Sequence, residues 1–270
     1  MKSSICFDDV LLEPQYSEIQ SRSEIDISGF LINVGRCRLP IISAPMDTVT
    51  GGLMANTMFS KGGIGIIHRY NSIVEQSAMI RDACFNEQHA LIGAAIGVNG
   101  EFIQRTKECI EAGAKIICVD VAHGHHLNVR HALQTLRNTF GTTIHIMAGN
   151  VATLSAFNDL ADWGADSIRV GIGGGSICST RIQTGHGVPT LQSVIDCSRS
   201  DRNATLIADG GIKNSGDIVK ALAAGADFVM LGSMLAGASE TPGAIINDPK
   251  EGQAKIYRGM ASKEAQNNWR

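Results

Sequence analysis

Apolar residues along this chain fall into short, strongly β-forming runs, and between them apolar positions recur at helical spacing. Eight runs read as buried strands: residues 39–46, 64–68, 90–97, 116–122, 144–150, 167–173, 206–210 and 228–233. Amphipathic stretches at 101–112, 127–140, 154–163 and 215–224 fit between them as helices, the last capped by Asn214 or Ser215. One phrase recurs three times: AGAKIICVD at 112–120, WGADSIRVG at 163–171 and AGADFVMLG at 224–232. Each copy sets a glycine (Gly113, Gly164, Gly225) where a helix ends in left-handed backbone, then runs into an apolar strand. Helix, glycine, strand is half of a βαβ unit. Eight alternating units predict an α/β fold, a closed (β/α)8 TIM barrel, with an open doubly wound sheet as the alternative. Residues 1–37 precede the first strand. No linker or low-complexity segment divides residues 1–270, which read as one barrel domain. After the eighth strand the sequence turns polar and irregular, with no long final helix in view.

Composition narrows the partners. Net charge is −3, from 23 basic and 26 acidic residues, without a long basic run, so no nucleic acid is expected. A small anion is compatible, because a few backbone N–H groups can bind one phosphate. The longest clean apolar run, residues 90–98, is nine residues, against roughly 20 for a bilayer span. Residues 1–14 carry Asp8, Asp9 and Glu13 and lack the order of a signal peptide, so a soluble, cytoplasmic protein is expected. The seven cysteines are odd in number and contain no C-x-x-C pair, which argues against a disulfide framework and a zinc cage. Six read as small buried hydrophobes. Cys178 does not.

The chemistry of such barrels sits at the C-terminal ends of the strands. Here those ends are rich in glycine and polar residues, above all after the sixth strand, in GIGGGSICSTR at 171–181. Gly171, Gly173, Gly174 and Gly175 let backbone approach a ligand closely. The run is neither a phosphate loop followed by Lys-Ser/Thr nor a dinucleotide fingerprint. Cys178, with Thr180 and Arg181 beside it, makes it specific: a thiol in a polar loop near a cation is a candidate nucleophile. Gly210, Gly211, Gly232 and Ser233, at the seventh and eighth strand ends, could hold a phosphate through backbone N–H, or the glycines could serve turns alone. Asp209 could hold ribose hydroxyls. His123, His125 and His126 beside Asp120 have the look of metal ligands, but one cluster on one loop seldom completes a site. Asp120 reads better as an acceptor for a ligand amide or hydroxyl.

Taken together, the motifs resemble the IMP dehydrogenase/GMP reductase family. The matching pieces are FDDVLLEP (7–14), SAPMDTVT (43–50), GGIGIIHRY (62–70), DVAHGH (120–125), AGNVAT (148–153), VGIGGGSICSTR (170–181), ADGGI (208–212), MLGSMLAG (230–237) and YRGM (257–260). The resemblance implies a purine nucleotide oxidoreductase in which Cys178 attacks C2 of the base to form a thioimidate. It implies that Thr180 assists the leaving or attacking group. Ser176, Asp209, Gly211, Gly232, Ser233, Tyr257, Gly259 and Met260 become nucleotide contacts, with Gly210 beside them. Asp120, Gly171 and Gly173 become neighbours of the nicotinamide, and the carbonyls of Gly173, Gly175 and Cys178 a monovalent-cation site suited to potassium. A homotetramer is the family habit.

Within the family, Ser21-Arg22-Ser23-Glu24, Thr184-Gly185 and the lack of room for a CBS regulatory insert between His68 and Ala90 resemble GMP reductase, which takes GMP and NADPH to IMP, ammonia and NADP. DVAHGH with ICSTR also suits an IMP dehydrogenase, which takes IMP, NAD and water to XMP and NADH. Two departures stand out. Gly174 replaces the family's usual proline, which is expected to loosen the loop. The family's flap and closing helix are expected beyond Met260, and the sequence ends ten residues later. A barrel lacking that flap and helix, binding nucleotide without turning it over, is the reading from a different functional class.

Overall fold

The computed structural model describes residues 4–85, 90–248 and 252–260. Two 3-10 turns, Phe7–Asp9 and Arg22–Glu24, and an antiparallel hairpin of β1 (Gly29–Leu31) and β2 (Gly35–Cys37) come first. Then strands and helices alternate: β3 (Ile41–Ser43), α1 (Gly52–Lys61), β4 (Ile64–Ile67), α2 (Ile73–Cys84), β5 (Ile92–Ile96), α3 (Phe102–Glu111), β6 (Ile116–Asp120), α4 (Leu127–Phe140), β7 (His145–Val151), α5 (Leu154–Asp162), β8 (Ser167–Val170). The short α6 (Thr180–Thr184) and α7 (Thr190–Cys197) follow β8, then β9 (Thr205–Asp209), α8 (Ser215–Ala223), β10 (Phe228–Leu231) and a hairpin of β11 (Ile246–Asp248) and β12 (Gly252–Ala254). Strands β3 to β10 pair in parallel and close, β10 returning to β3, so the barrel expected from the pattern is the fold. Residues 261–270, where a flap would begin, lie outside the described residues.

The three repeated phrases do what their chemistry demands. Gly113, Gly164 and Gly225 sit at φ +118°, +109° and +107°, directly after α3, α5 and α8. Asn214 caps α8, accepting from the Asp217 N–H at 3.0 Å, and Thr153 caps α5 in the same manner. Strands alternate between two apolar environments. Ile64, Ile66, Ile116, Cys118, Met147 and Ile207 fill the barrel's interior, while Ile67, Ile117, Val119, Ile146 and Ile168 pack outward under the helices. A strand buried on both faces carries few polar positions, which is why these read as nearly continuous apolar runs.

Several strands stop earlier than the apolar pattern suggests. The first was read as 39–46 and the sixth as 167–173, but β3 ends at Ser43 and β8 at Val170. The extra residues leave the ladder at Pro45 and at Gly171, whose φ of +149° carries the chain out over the barrel mouth. The N-terminal hairpin closes the opposite end. Leu31 and Cys37 join the interior cluster, and Gly29 lies against the Phe228 ring, where a Cβ would come within 2.5 Å. His145 clamps this floor: one ring nitrogen bonds the Ile32 carbonyl at 2.6 Å and the other the Ser167 hydroxyl at 2.7 Å.

Burial depresses the pKa of His145, and that of His68 likewise. The folded state therefore binds protons less readily than the unfolded chain, so stability is complete above the unfolded histidine pKa of about 6.5 and is lost as pH falls below it. Melting temperature should decline between pH 7 and pH 5, and the His145→Gln variant should show a shallower decline in the same calorimetric series.

Candidate functional site

A single cavity of about 730 Å³ opens at the C-terminal end of the barrel. Gly171, Gly210 and Gly232 all line it, so the ends of β8, β9 and β10 face one space. Cys178, Thr180, Ser176, Asp209, Gly211, Ser233, Tyr257, Gly259, Met260, Asp120, Gly173 and Gly175 line it too. The residues expected to bind nucleotide, nicotinamide and cation are thus brought to one cavity, from segments as far apart as Asp120 and Met260, whereas Arg181, His123, His125 and His126 do not line it.

Beneath the cavity lies a buried charge network that the sequence reading did not single out. Arg169, on β8, is 6% exposed. It donates to Asp120 Oδ1 at 2.6 Å, and to Asp209 Oδ2 at 2.9 Å and 3.1 Å. Asn150, on β7, donates to the same Asp209 oxygen at 2.8 Å and to the Gly171 carbonyl at 2.8 Å. Arg69 approaches the other Asp120 oxygen at 3.6 Å. The network joins the ends of β6, β7, β8 and β9. Among the described residues the hydrogen bonds to the Asp209 carboxylate fall on Oδ2. The signal was present: a lone arginine within the apolar run DSIRVG can be buried only if paired with carboxylates.

The cysteine loop is shaped by close approaches. Its base is pinched by a bridge between Ile172 and Val188. A Cβ on Gly171 would come within 1.9 Å of the Asp209 carbonyl oxygen, and one on Gly174 within 2.2 Å of Thr190 Oγ1. At Gly174 the absence of a side chain lets the loop approach Thr190 at the start of α7 closely. Cys178 donates its N–H to the Gly175 carbonyl at 3.1 Å, and α6 starts two residues later. Cys178 is the only one of the seven cysteines lining the cavity. Burial pushes the Cys37 thiol up to about 11 and those of Cys109, Cys118 and Cys197 up to about 12, which keeps them protonated at neutral pH.

Tyr257 closes one side. A Cβ on Gly232 would stand 2.9 Å from its hydroxyl. Burial raises its pKa, and hydrogen bonds with Ser176 and Ser233 only partly offset this, so it remains a phenol that can donate. The three histidines go separate ways. His126 caps α4, accepting from the Asn128 N–H at 3.1 Å; His125 bonds Asp159 at 2.7 Å and stacks on Trp163; His123 lies edge-on to His125.

Comparison with known proteins decides the relationship. The IMP dehydrogenase / GMP reductase domain family matches residues 4–270. The chain belongs to this family. It is similar to an inosine-5'-monophosphate dehydrogenase of Cryptosporidium parvum, 40% identical with 96% of this chain and 74% of that protein covered. It is similar to an inosine-5'-monophosphate dehydrogenase of Nitrosopumilus maritimus, 32% identical with 98% and 81% covered. It is similar to a GMP reductase of Leishmania major, 32% identical with 97% and 80% covered. The family's fold is the barrel described above. Among the described residues no helix is long and apolar enough to cross a membrane.

Removing the arginine from the network would leave two poorly solvated carboxylates with only Arg69, at 3.6 Å from Asp120, and Asn150, on Asp209, to answer them. Arg169→Gln is expected to cost about 3–5 kcal/mol of unfolding free energy. In urea titrations the added loss from Asp209→Asn in that background should be much smaller than the loss it causes alone.

Proposed function

We propose that the chain is an oxidoreductase acting at C2 of a purine nucleotide through Cys178, and that its reaction is that of a GMP reductase. The observation that carries this is the presence of Cys178 in the lining of a cavity that Gly211, Gly232 and Ser233 also line. A nucleotide anchored by its phosphate on those backbone N–H groups, with ribose on Asp209, lies with its base toward the sulfur. Membership of a family whose relatives bear the names of both reactions supports chemistry on GMP or IMP.

The Cys178 thiolate adds to C2 of GMP, and the 2-amino group takes one proton from solvent and leaves as ammonia, giving a thioimidate. Thr180, on the same wall, assists that departure by hydrogen bonding. A bound NADPH supplies the hydride that C2 then receives. The C–S bond breaks, IMP leaves, and Cys178 is free again. Sulfur suits both halves because it attacks readily and leaves readily. The residues fit a nicotinamide: Asp120 offers a carboxylate to a carboxamide, and Gly171 and Gly173 present bare backbone at positive φ. The carbonyls of Gly173, Gly175 and Cys178 would hold a potassium ion. Their neutral oxygens suit a weakly charged hard cation, and Gly175 retains a second lone pair beside its bond from Cys178.

The reductase branch is supported by Thr184-Gly185 and by the short β4–α2 link, residues 68–72, which carries no regulatory domain. Dehydrogenase chemistry, IMP with NAD and water to XMP, is the second reading, favoured by the names of several relatives. A homotetramer belongs to the same reading and would cover the exposed Leu11, Tyr16 and Phe30.

Absorbance of the reduced nicotinamide separates the readings. Consumption of NADPH with GMP is expected; NADH formed from IMP and NAD would assign the dehydrogenase instead. Binding of nucleotide without either signal would leave a binding protein. Cys178→Ser should lower turnover at least about a thousandfold, about 4 kcal/mol of barrier, with nucleotide affinity retained. Gly232→Leu should abolish GMP and IMP binding in calorimetry while the far-ultraviolet dichroism stays unchanged, because its side chain meets Tyr257 and Met46.

A further inference from the structure

Behind the cavity wall, Asp47 and Arg258 face each other across 211 residues of chain. Asp47 follows β3; Arg258 lies in the last described segment. Arg258 Nε donates to Asp47 Oδ2 at 3.1 Å, and its Nη2 contacts the same oxygen directly. The side chains are 14% and 20% exposed, so water screens the pair less than it would a surface ion pair. Neither residue lines the cavity, but their chain neighbours do: Met46 on one side, Tyr257, Gly259 and Met260 on the other.

The pair thus grips the cavity wall from behind. Tyr257 and Met46 meet at 4.0 Å, over Gly232. Gly259 lies on the Ile177 carbonyl, where a Cβ would come within 3.0 Å, and Ile177 adjoins Cys178. On the other side of the strap, Lys255 donates to the Ser239 and Thr241 carbonyls at 3.0 and 2.7 Å. One cation pins the strap at the edge of the mouth, and the other pins it over the mouth.

We infer that Asp47 and Arg258 are a positioning pair: their contact holds residues 257–260 on the cysteine loop, setting nucleotide affinity and shielding Cys178. The affinity half rests on the nucleotide reading of the cavity; the shielding half does not. Both halves follow from one lever. Without the pair, the strap retains its edge anchor but loses its hold beside Met46. Tyr257 then leaves the nucleotide wall, and Gly259 leaves Ile177.

Asp47→Asn, Arg258→Gln and the double variant test it. Calorimetry with IMP and with GMP reads affinity, and iodoacetamide labelling with peptide mass mapping reads each cysteine. Each single variant should weaken nucleotide binding at least about tenfold and speed Cys178 labelling several-fold, and the double should lose clearly less than the sum of the singles, because the Asp47–Arg258 contact is shared by both. Cys109, Cys118 and Cys197, buried in the shell and barrel, should stay unlabelled and so report an intact fold. Where they do label, Arg258→Lys is used instead; it keeps the charge but loses the fork, and must still speed Cys178 labelling. Folded variants with unchanged labelling and affinity, or a double variant whose losses add, overturn the pair. If the unaltered protein binds neither IMP nor GMP, the nucleotide reading fails, and the labelling result alone decides the pair.

Discussion

Arg169 sits where the barrel's apolar interior gives way to its polar mouth, and the geometry of the site depends on it. A guanidinium that is 6% exposed survives only when its charge is answered. Here Asp120 and Asp209 answer it from two other strands, and Asn150 ties Asp209 to the carbonyl of Gly171. Asp209 is thereby held through its Oδ2. Gly171, where the cysteine loop departs, is anchored by the same contacts. Directional hydrogen bonds of this kind set orientation in a way that packing of Ile and Val cannot.

The two ends of the barrel are built on opposite principles. The floor is sealed by Leu31 and Cys37 of the β1–β2 hairpin, the Phe228 ring and the His145 clamp, all buried. The mouth is assembled from glycines whose missing side chains let backbone cross backbone. Gly174 against Thr190 is a case in point. A glycine there permits a close approach to α7. Rigidity below and shaped backbone above are complementary: the first holds the strand ends still, so that the second has a fixed frame on which to place Cys178.

Much of this was legible along the chain. The helix–glycine–strand phrase implied parallel units, and their number implied closure. Cys178 stood apart because its neighbours were glycines and hydroxyls, whereas Cys109, Cys118 and Cys197 lay in apolar runs that the fold buries. Arg169 could have been found by the same logic, as a charge in a strand with no room for water. Asp47 and Arg258 were harder. Both lay inside motifs that marked the family, SAPMDTVT and YRGM, but no spacing in the sequence says that residues 211 apart will meet.

By itself the sequence determined the alternation of strands and helices, the glycine positions that end the helices, the family, and the cysteine that stands apart from the buried ones. These follow from local periodicity, from backbone conformations open only to glycine, and from the character of immediate neighbours. Only the tertiary structure decided which oxygen of Asp209 takes the network's hydrogen bonds, that Gly174 lies against Thr190, that the three histidines take different partners, and that the last described segment is strapped to the first barrel loop. Each of those is a distance between atoms far apart in the chain, and such distances exist only once β10 has returned to β3 and closed the barrel.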